Sequence, residues 1–115
     1  MSTTPLVNLP MVTVGWDATP RCDKDVPWPF PVSPISGRHE YPYVPVVVGN
    51  TPELFEQLLR DASRHTQRDP HKPFAVLINA WNEWTEGCYL LPEERTGTAR
   101  LEAIKRTFGK KSSHL

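Results

Sequence analysis

Cysteine is scarce in this chain, with only Cys22 and Cys88 among 115 residues. Two are too few for a disulfide scaffold, and no CxxC pair offers a metal spacing. Net charge is missing as well, since 13 Lys and Arg stand against 13 Asp and Glu. That excludes nucleic-acid binding through bulk basicity, and it excludes a long acidic tail. No apolar run approaches the ~20 residues that span a bilayer, so no membrane partner is expected. Residues 1–10 have neither the basic nor the apolar region of a secretory signal. His39, His65, His71 and His114 fall at no metal-ligand spacing, and neither a Gly-rich phosphate loop nor a GxSxG elbow occurs. Neither a metal nor a cofactor is therefore expected.

Proline is what the chain has in excess, at 13 residues against an average usage of ~5%. Nine of these 13 lie within the first 45 positions. Proline lacks the N–H and fixes φ, so this stretch cannot be helix and is a poor central strand. Met11–Trp16 is the exception, with Val12 and Val14 alternating as in a short strand. Residues 17–43 read as one long loop rich in Pro and aromatics. Disordered linkers are poor in aromatics, so Trp28, Phe30, Tyr41 and Tyr43 point to an ordered loop packed on something. Loops of this length in compact folds are often functional.

Val46–Val48 reads as a short strand or as an extended approach to a helix. Thr51-Pro52-Glu53 is a helix start: an N-cap, Pro at the first helical position and a carboxylate facing the positive end. Leu54, Phe55, Leu58, Leu59 and Ala62 mark one apolar face, and the helix should fade over Arg64–Arg68. Phe74–Ala80 is a nearly continuous apolar run, which is how a parallel strand buried on both faces reads. WNEWTEG follows as a loop. A second helix then has Thr98 as N-cap, Leu101, Ile104 and Phe108 as its inward stripe and Gly109 as its stop. Residues 1–10 and 110–115 are expected to be disordered ends around a folded part spanning 11–109.

The expected fold class is α/β, about two β/α units forming the C-terminal portion of a (β/α)8 TIM-type barrel. Two units cannot cover both faces and both edges of a buried parallel strand, and a whole barrel needs ~250 residues. The competing expectation is a self-contained small α/β module that binds glycan or protein without chemistry.

The chemistry gathers in Asn79-Ala80-Trp81-Asn82-Glu83-Trp84-Thr85-Glu86-Gly87, where a buried strand hands over to its βα loop. A carboxylate desolvated beside indole surface is raised in pKa and suited to act as an acid. A better-solvated partner stays ionised as base or nucleophile. Glu83 and Glu86 are thus candidates for the two roles that glycosidic cleavage requires. Trp81 and Trp84 could stack on sugar C–H faces, with Asn82 beside them and Gly87 permitting a tight turn. Trp16, Asp17 and Arg21 end the first strand and could line the same mouth. Arg21 could hold a carboxylate ionised or contact a sugar hydroxyl; the competing role is a structural bridge to Asp17. Cys22 and Cys88 both fall in βα loops, as two free thiols or as a disulfide.

Three stretches, GWDxTPR (15–21), GNTPExF (49–55) and NAWNEWxEGxYL (79–90), resemble the C-terminal end of the glycoside hydrolase family 99-like proteins. That group includes the WbsX-type proteins of polysaccharide biosynthesis clusters. The resemblance implies a (β/α)8 fold acting with retention on α-mannoside-type or related glycans, and hence an oligo- or polysaccharide partner. It implies that Glu83 and Glu86 are the catalytic pair and that Trp16, Asp17, Arg21, Trp81, Asn82, Trp84 and Tyr89 bind substrate. By the same likeness Glu86 protonates the leaving oxygen and Glu83 takes the proton of the sugar 2-hydroxyl, through a 1,2-anhydro sugar. The spacing serves a direct nucleophile equally well. Leu91 stands where the family often carries an acid, and Ala18 where it usually carries Asn. The family's N-terminal barrel strands have no counterpart here, so a missing barrel portion is an expected partner.

Overall fold

A computed structural model describes residues 6–23, 25, 41–68 and 75–109. Strand β1 (Met11–Thr13) pairs in parallel with β2 (Leu77–Asn79), matching Met11 to Leu77, Val12 to Ile78 and Thr13 to Asn79. Pro10 O extends the ladder by accepting from Leu77 N at 2.9 Å. Helix α1 (Pro52–Arg68) follows β1 after the long connection, and α2 (Ala99–Phe108) follows β2. Between β2 and α2 lies a hairpin of β3 (Asn82–Glu83) and β4 (Cys88–Tyr89).

Alternation in β1 is as the sequence reads: Val12 and Val14 are buried while Met11 is 68% exposed. The expected two-sided burial of the second strand is not found. Its regular part is three residues long, and Leu77 is 44% exposed. Phe74, the first residue of that expected strand, lies outside the described residues. The cause is one-sided cover. Ile78 leans on the core with Val12, whereas Leu77 and Met11 share the opposite face, which no described element covers.

Helix α1 starts where Thr51-Pro52 places it, with Thr51 Oγ1 accepting from Leu54 N at 3.3 Å. Phe55, Leu59 and Ala62 are buried against β1 and α2, but Leu54 and Leu58 of the same stripe are about half exposed. The stripe is wider than the surface these partners offer. Glu56 ties the helices together, accepting from Arg106 at 2.8 Å and from Arg60 at 3.1 Å. Val46–Val48 is an extended approach rather than a strand, anchored where Val47 N donates to Trp16 O.

Helix α2 departs from its expected detail. The Thr98 hydroxyl donates to Glu102 Oε1 at 2.7 Å instead of capping a backbone N–H. Ala103 is the fully buried position, Leu101 and Ile104 lean on the core, and Phe108 is 44% exposed. Gly109 ends the helix in an extended conformation, φ −62° and ψ 139°. Glycine is needed there for space, because a Cβ would meet Lys105 O at 2.4 Å. Of the ends expected to be disordered, 1–10 and 110–115, residues 1–5 and 110–115 lie outside the described residues, as do Trp28, Phe30, His39, His71 and His114. Among the described residues no helix is long and apolar enough to cross a membrane.

Candidate functional site

Both chemistry-bearing stretches leave the C-terminal ends of the parallel pair, GWDxTPR from β1 and the NEWxEG stretch from β2. Gly15 makes the first exit possible. A Cβ there would lie 2.4 Å from Asn50 Nδ2, which donates to Val14 O at 3.1 Å. Asp17 then works in two directions. Its backbone N–H donates to Glu86 O at 2.7 Å. Its Oδ1 accepts from Thr19 N at 2.9 Å, closing the 3₁₀ turn Thr19–Arg21 that presents Arg21. The Thr19 hydroxyl and N–H hold the Asp17 carboxyl below its usual range. Asp17 is therefore a scaffold of the site, and the alternative Asp17–Arg21 bridge is replaced by ion pairs from Arg21 to the glutamates.

The stretch read as a plain loop is a hairpin. Asn82 pairs with Tyr89 and Glu83 with Cys88, around a 3₁₀ turn at Trp84–Glu86. Gly87 closes it at φ 65°, a left-handed conformation that glycine adopts without steric cost. A Cβ on Gly87 would lie 3.1 Å from Asp17 Cβ, so the two exits touch at this point.

One guanidinium joins the two carboxylates. Arg21 Nη2 lies 2.9 Å from Glu83 Oε1, and Nη1 lies 3.2 Å from Glu86 Oε1. The remaining donor, Nε, reaches Thr85 Oγ1 at 2.8 Å, and that hydroxyl donates to Glu83 Oε1 at 2.7 Å. Tyr41 OH accepts from Arg21 Nη1 and donates to Glu86 Oε1 at 2.7 Å. Each glutamate is thus held by Oε1, and among the described residues neither Oε2 has a hydrogen-bond partner. The Thr85 hydroxyl, and after it the Arg21 charge, hold the Glu83 carboxyl below its usual range against partial desolvation. Partial burial, then the Glu86 hydrogen bond, push the Tyr41 phenol above its ordinary value, so it is a proton donor at neutral pH. The Glu83 side chain is 41% exposed and that of Glu86 18%. The pair is therefore asymmetric, with a more open, ionised Glu83 and a more enclosed Glu86.

Aromatic surface flanks the pair. Trp84 stacks on Tyr89 with centroids 4.0 Å apart, and the Arg100 guanidinium lies 5.1 Å over the other ring, Tyr89. Trp81 and Trp84 remain 57% and 45% exposed, leaving indole surface for a ligand. Trp16 is half-buried and packs at a tilt on Tyr41, so it backs the site from below. Asn82 is exposed on the hairpin. The later acid Glu93 accepts from the Thr96 hydroxyl and Arg95 N within its own turn. Cys22 and Cys88 are both free thiols, and burial raises the Cys88 pKa.

Three contributors were not singled out from the sequence. Thr85 is the variable position of NEWxEG, and its only signal was being flanked by both carboxylates. Tyr41 carried the hint of an aromatic-rich loop. Arg100 is a basic residue of α2 that is only 4% exposed, and no signal in the sequence marks it as buried.

Comparison with known proteins gives the context. Residues 37–104 match the family model described as Glycosyltransferase WbsX. That span holds Tyr41, Glu83, Thr85 and Glu86, while Trp16, Asp17 and Arg21 precede it. The chain is similar to the uncharacterized protein WxcX of Xanthomonas campestris pv. campestris, in strain B100 and in a second strain. Identity is 31% over 100 residues, covering 86% of this chain but 12% of WxcX. The chain thus spans about an eighth of the length of these relatives, and no solved structure matches it. With the family model covering more than half of its residues, the chain belongs to the WbsX glycosyltransferase family.

Proposed function

We propose that this chain carries the acid–base carboxylate pair of a glycan-active protein, completed as a (β/α)8 barrel by further β/α units. The observation that carries the reading is the Arg21 clamp, with both Oε1 atoms on one guanidinium and neither Oε2 atom bonded among the described residues. The barrel reading is supported by the parallel pairing, by a helix after each strand and by the site's place at the strand C-termini. Exposed Met11 and Leu77 on one face of the pair would become barrel interior, and Leu54 and Leu58 would meet a neighbouring helix.

In the chemistry this supports, ionised Glu83 takes the proton of a sugar 2-hydroxyl. The freed oxygen attacks C1 while Glu86 gives its proton to the leaving oxygen, producing a 1,2-anhydro sugar. An acceptor O–H then returns its proton to Glu86 as it attacks C1, and O2 recovers the proton held by Glu83. Trp81 and Trp84 would stack against the sugar faces. The substrate class is an α-mannoside-type or related polysaccharide.

A second reading is favoured by the family description, which is that of a transferase. The same two half-reactions end in hydrolysis if the acceptor is water and in chain extension if it is a sugar hydroxyl. Incubation with α-linked mannooligosaccharides, alone and co-expressed with strands that complete the barrel, followed by mass analysis, separates the outcomes. Shortened products support hydrolysis and lengthened products support transfer. Products unaffected by Glu83→Gln and Glu86→Gln would overturn both.

A further inference from the structure

Glu86 does not choose its own orientation. Its Oε1 is engaged by Tyr41 OH at 2.7 Å and by Arg21 Nη1 at 3.2 Å, and Tyr41 OH is itself the acceptor of that same Nη1. Phenol, guanidinium and carboxylate close a three-membered ring of contacts. The Tyr41 ring is fixed in turn, tilted on Trp16 at 6.4 Å and lying beneath the guanidinium carbon of Arg21 at 5.7 Å. Glu83 has the parallel arrangement with a different neutral donor, since Thr85 Oγ1 gives to its Oε1 and receives Arg21 Nε. Each carboxylate therefore has one neutral hydroxyl partner and one arm of a shared cation. The phenol arrives from the connection between β1 and α1, and the threonine from the hairpin.

We propose that Tyr41 is a positioning residue for Glu86, presenting Glu86 Oε2 to the leaving oxygen. This rests on the glycan reading above. Removing the phenol hydroxyl leaves Glu86 Oε1 with the Arg21 arm alone, so the carboxyl is free to turn and Oε2 loses its fixed aim. Among the described residues, the other charged or titratable groups facing Glu86 are Arg21, Glu83 across the guanidinium, and the buried Cys88 thiol; Asp17 meets it through the backbone. All are unchanged when Tyr41 becomes Phe.

The test has two arms. In the barrel-completed protein, Tyr41→Phe is expected to lower kcat by about 10–100-fold with KM nearly unchanged, as for a misplaced catalytic group. A purely structural role would lower the active fraction and leave turnover per folded site unchanged, and an unchanged kcat per folded site overturns the proposal. The second arm needs no turnover. In the chain itself, the Tyr41 ring carbon bearing oxygen is followed by NMR against pH with and without Glu86→Gln. Loss of the carboxylate should bring the phenol titration down from its raised position; an unmoved titration overturns the contact. If no form turns over α-mannosides while the phenol titration moves, the glycan reading fails and the Tyr41–Glu86 pairing stands. Should Tyr41→Phe fail to fold, this second arm still decides.

Discussion

The backbone N–H of Asp17 donates to the carbonyl of Glu86 at 2.7 Å, across 69 positions of sequence. This bond sets the exit of β1 against the turn after β2, and so brings Arg21 within reach of both glutamates. Gly87 lies at the same junction, left-handed and with its Cα facing Asp17.

Gly87→Ala should consequently be costly. The left-handed conformation costs a non-glycine residue about 1–2 kcal/mol, and its Cβ would sit 3.1–3.2 Å from Asp17 atoms. Denaturant unfolding should show a loss of at least that size. In the folded fraction, the Arg21–Glu83 ion pair should loosen, read as a rise in the Glu83 titration.

Thr85 supplies the first cause of the depressed Glu83 titration, so Thr85→Val should raise it toward the ordinary carboxylate range. A carboxylate depressed in the folded state contributes stability above its unfolded value and loses it as pH falls through the folded value. The parent chain should therefore retain this contribution into more acidic solution than Thr85→Val does. Carboxyl NMR titration of the two proteins checks the order, and thermal unfolding against pH checks its consequence.

The two thiols should differ sharply. Cys88 is buried beneath the site, and its thiol is pushed up by desolvation first, with the nearby carboxylates adding to it. It stays protonated and covered at pH 8, whereas Cys22 is half-exposed. Iodoacetamide followed by peptide mapping should label Cys22 in the native chain and Cys88 only after denaturation. Equal labelling of both would contradict the buried position.

Local chemistry made several elements legible. The Val12–Val14 alternation, the Thr51-Pro52-Glu53 start and the end of α1 at Arg68 all follow from short-range rules. So does the place of Glu83 and Glu86 just after a strand. Long-range partners were not legible. Nothing in the residues around Arg21 tells that its three donor nitrogens reach Thr85, Glu83 and Glu86, more than 60 positions away. Tyr41 is hidden for the same reason, because its phenol meets Glu86 only through the fold. Phe108 and Leu54 fit the apolar stripes by spacing yet stay exposed, since a stripe records what a helix can bury and not what stands opposite. Asp17 hides a local role in the same way: its Oδ1 closes the turn that presents Arg21, which its place at the site mouth does not reveal.

The most direct measurement compares Glu86→Gln with the parent, in the barrel-completed protein, on two α-mannosyl substrates. One leaves as a sugar, which needs a proton, and the other as fluoride, which needs much less help. Loss of a general acid is worth about 10²–10⁴-fold. A loss of that order is expected on the sugar leaving group, with saccharide affinity retained and most of the rate restored on the fluoride. Equal losses on the two substrates, or no loss on either, would contradict Glu86 as the proton donor.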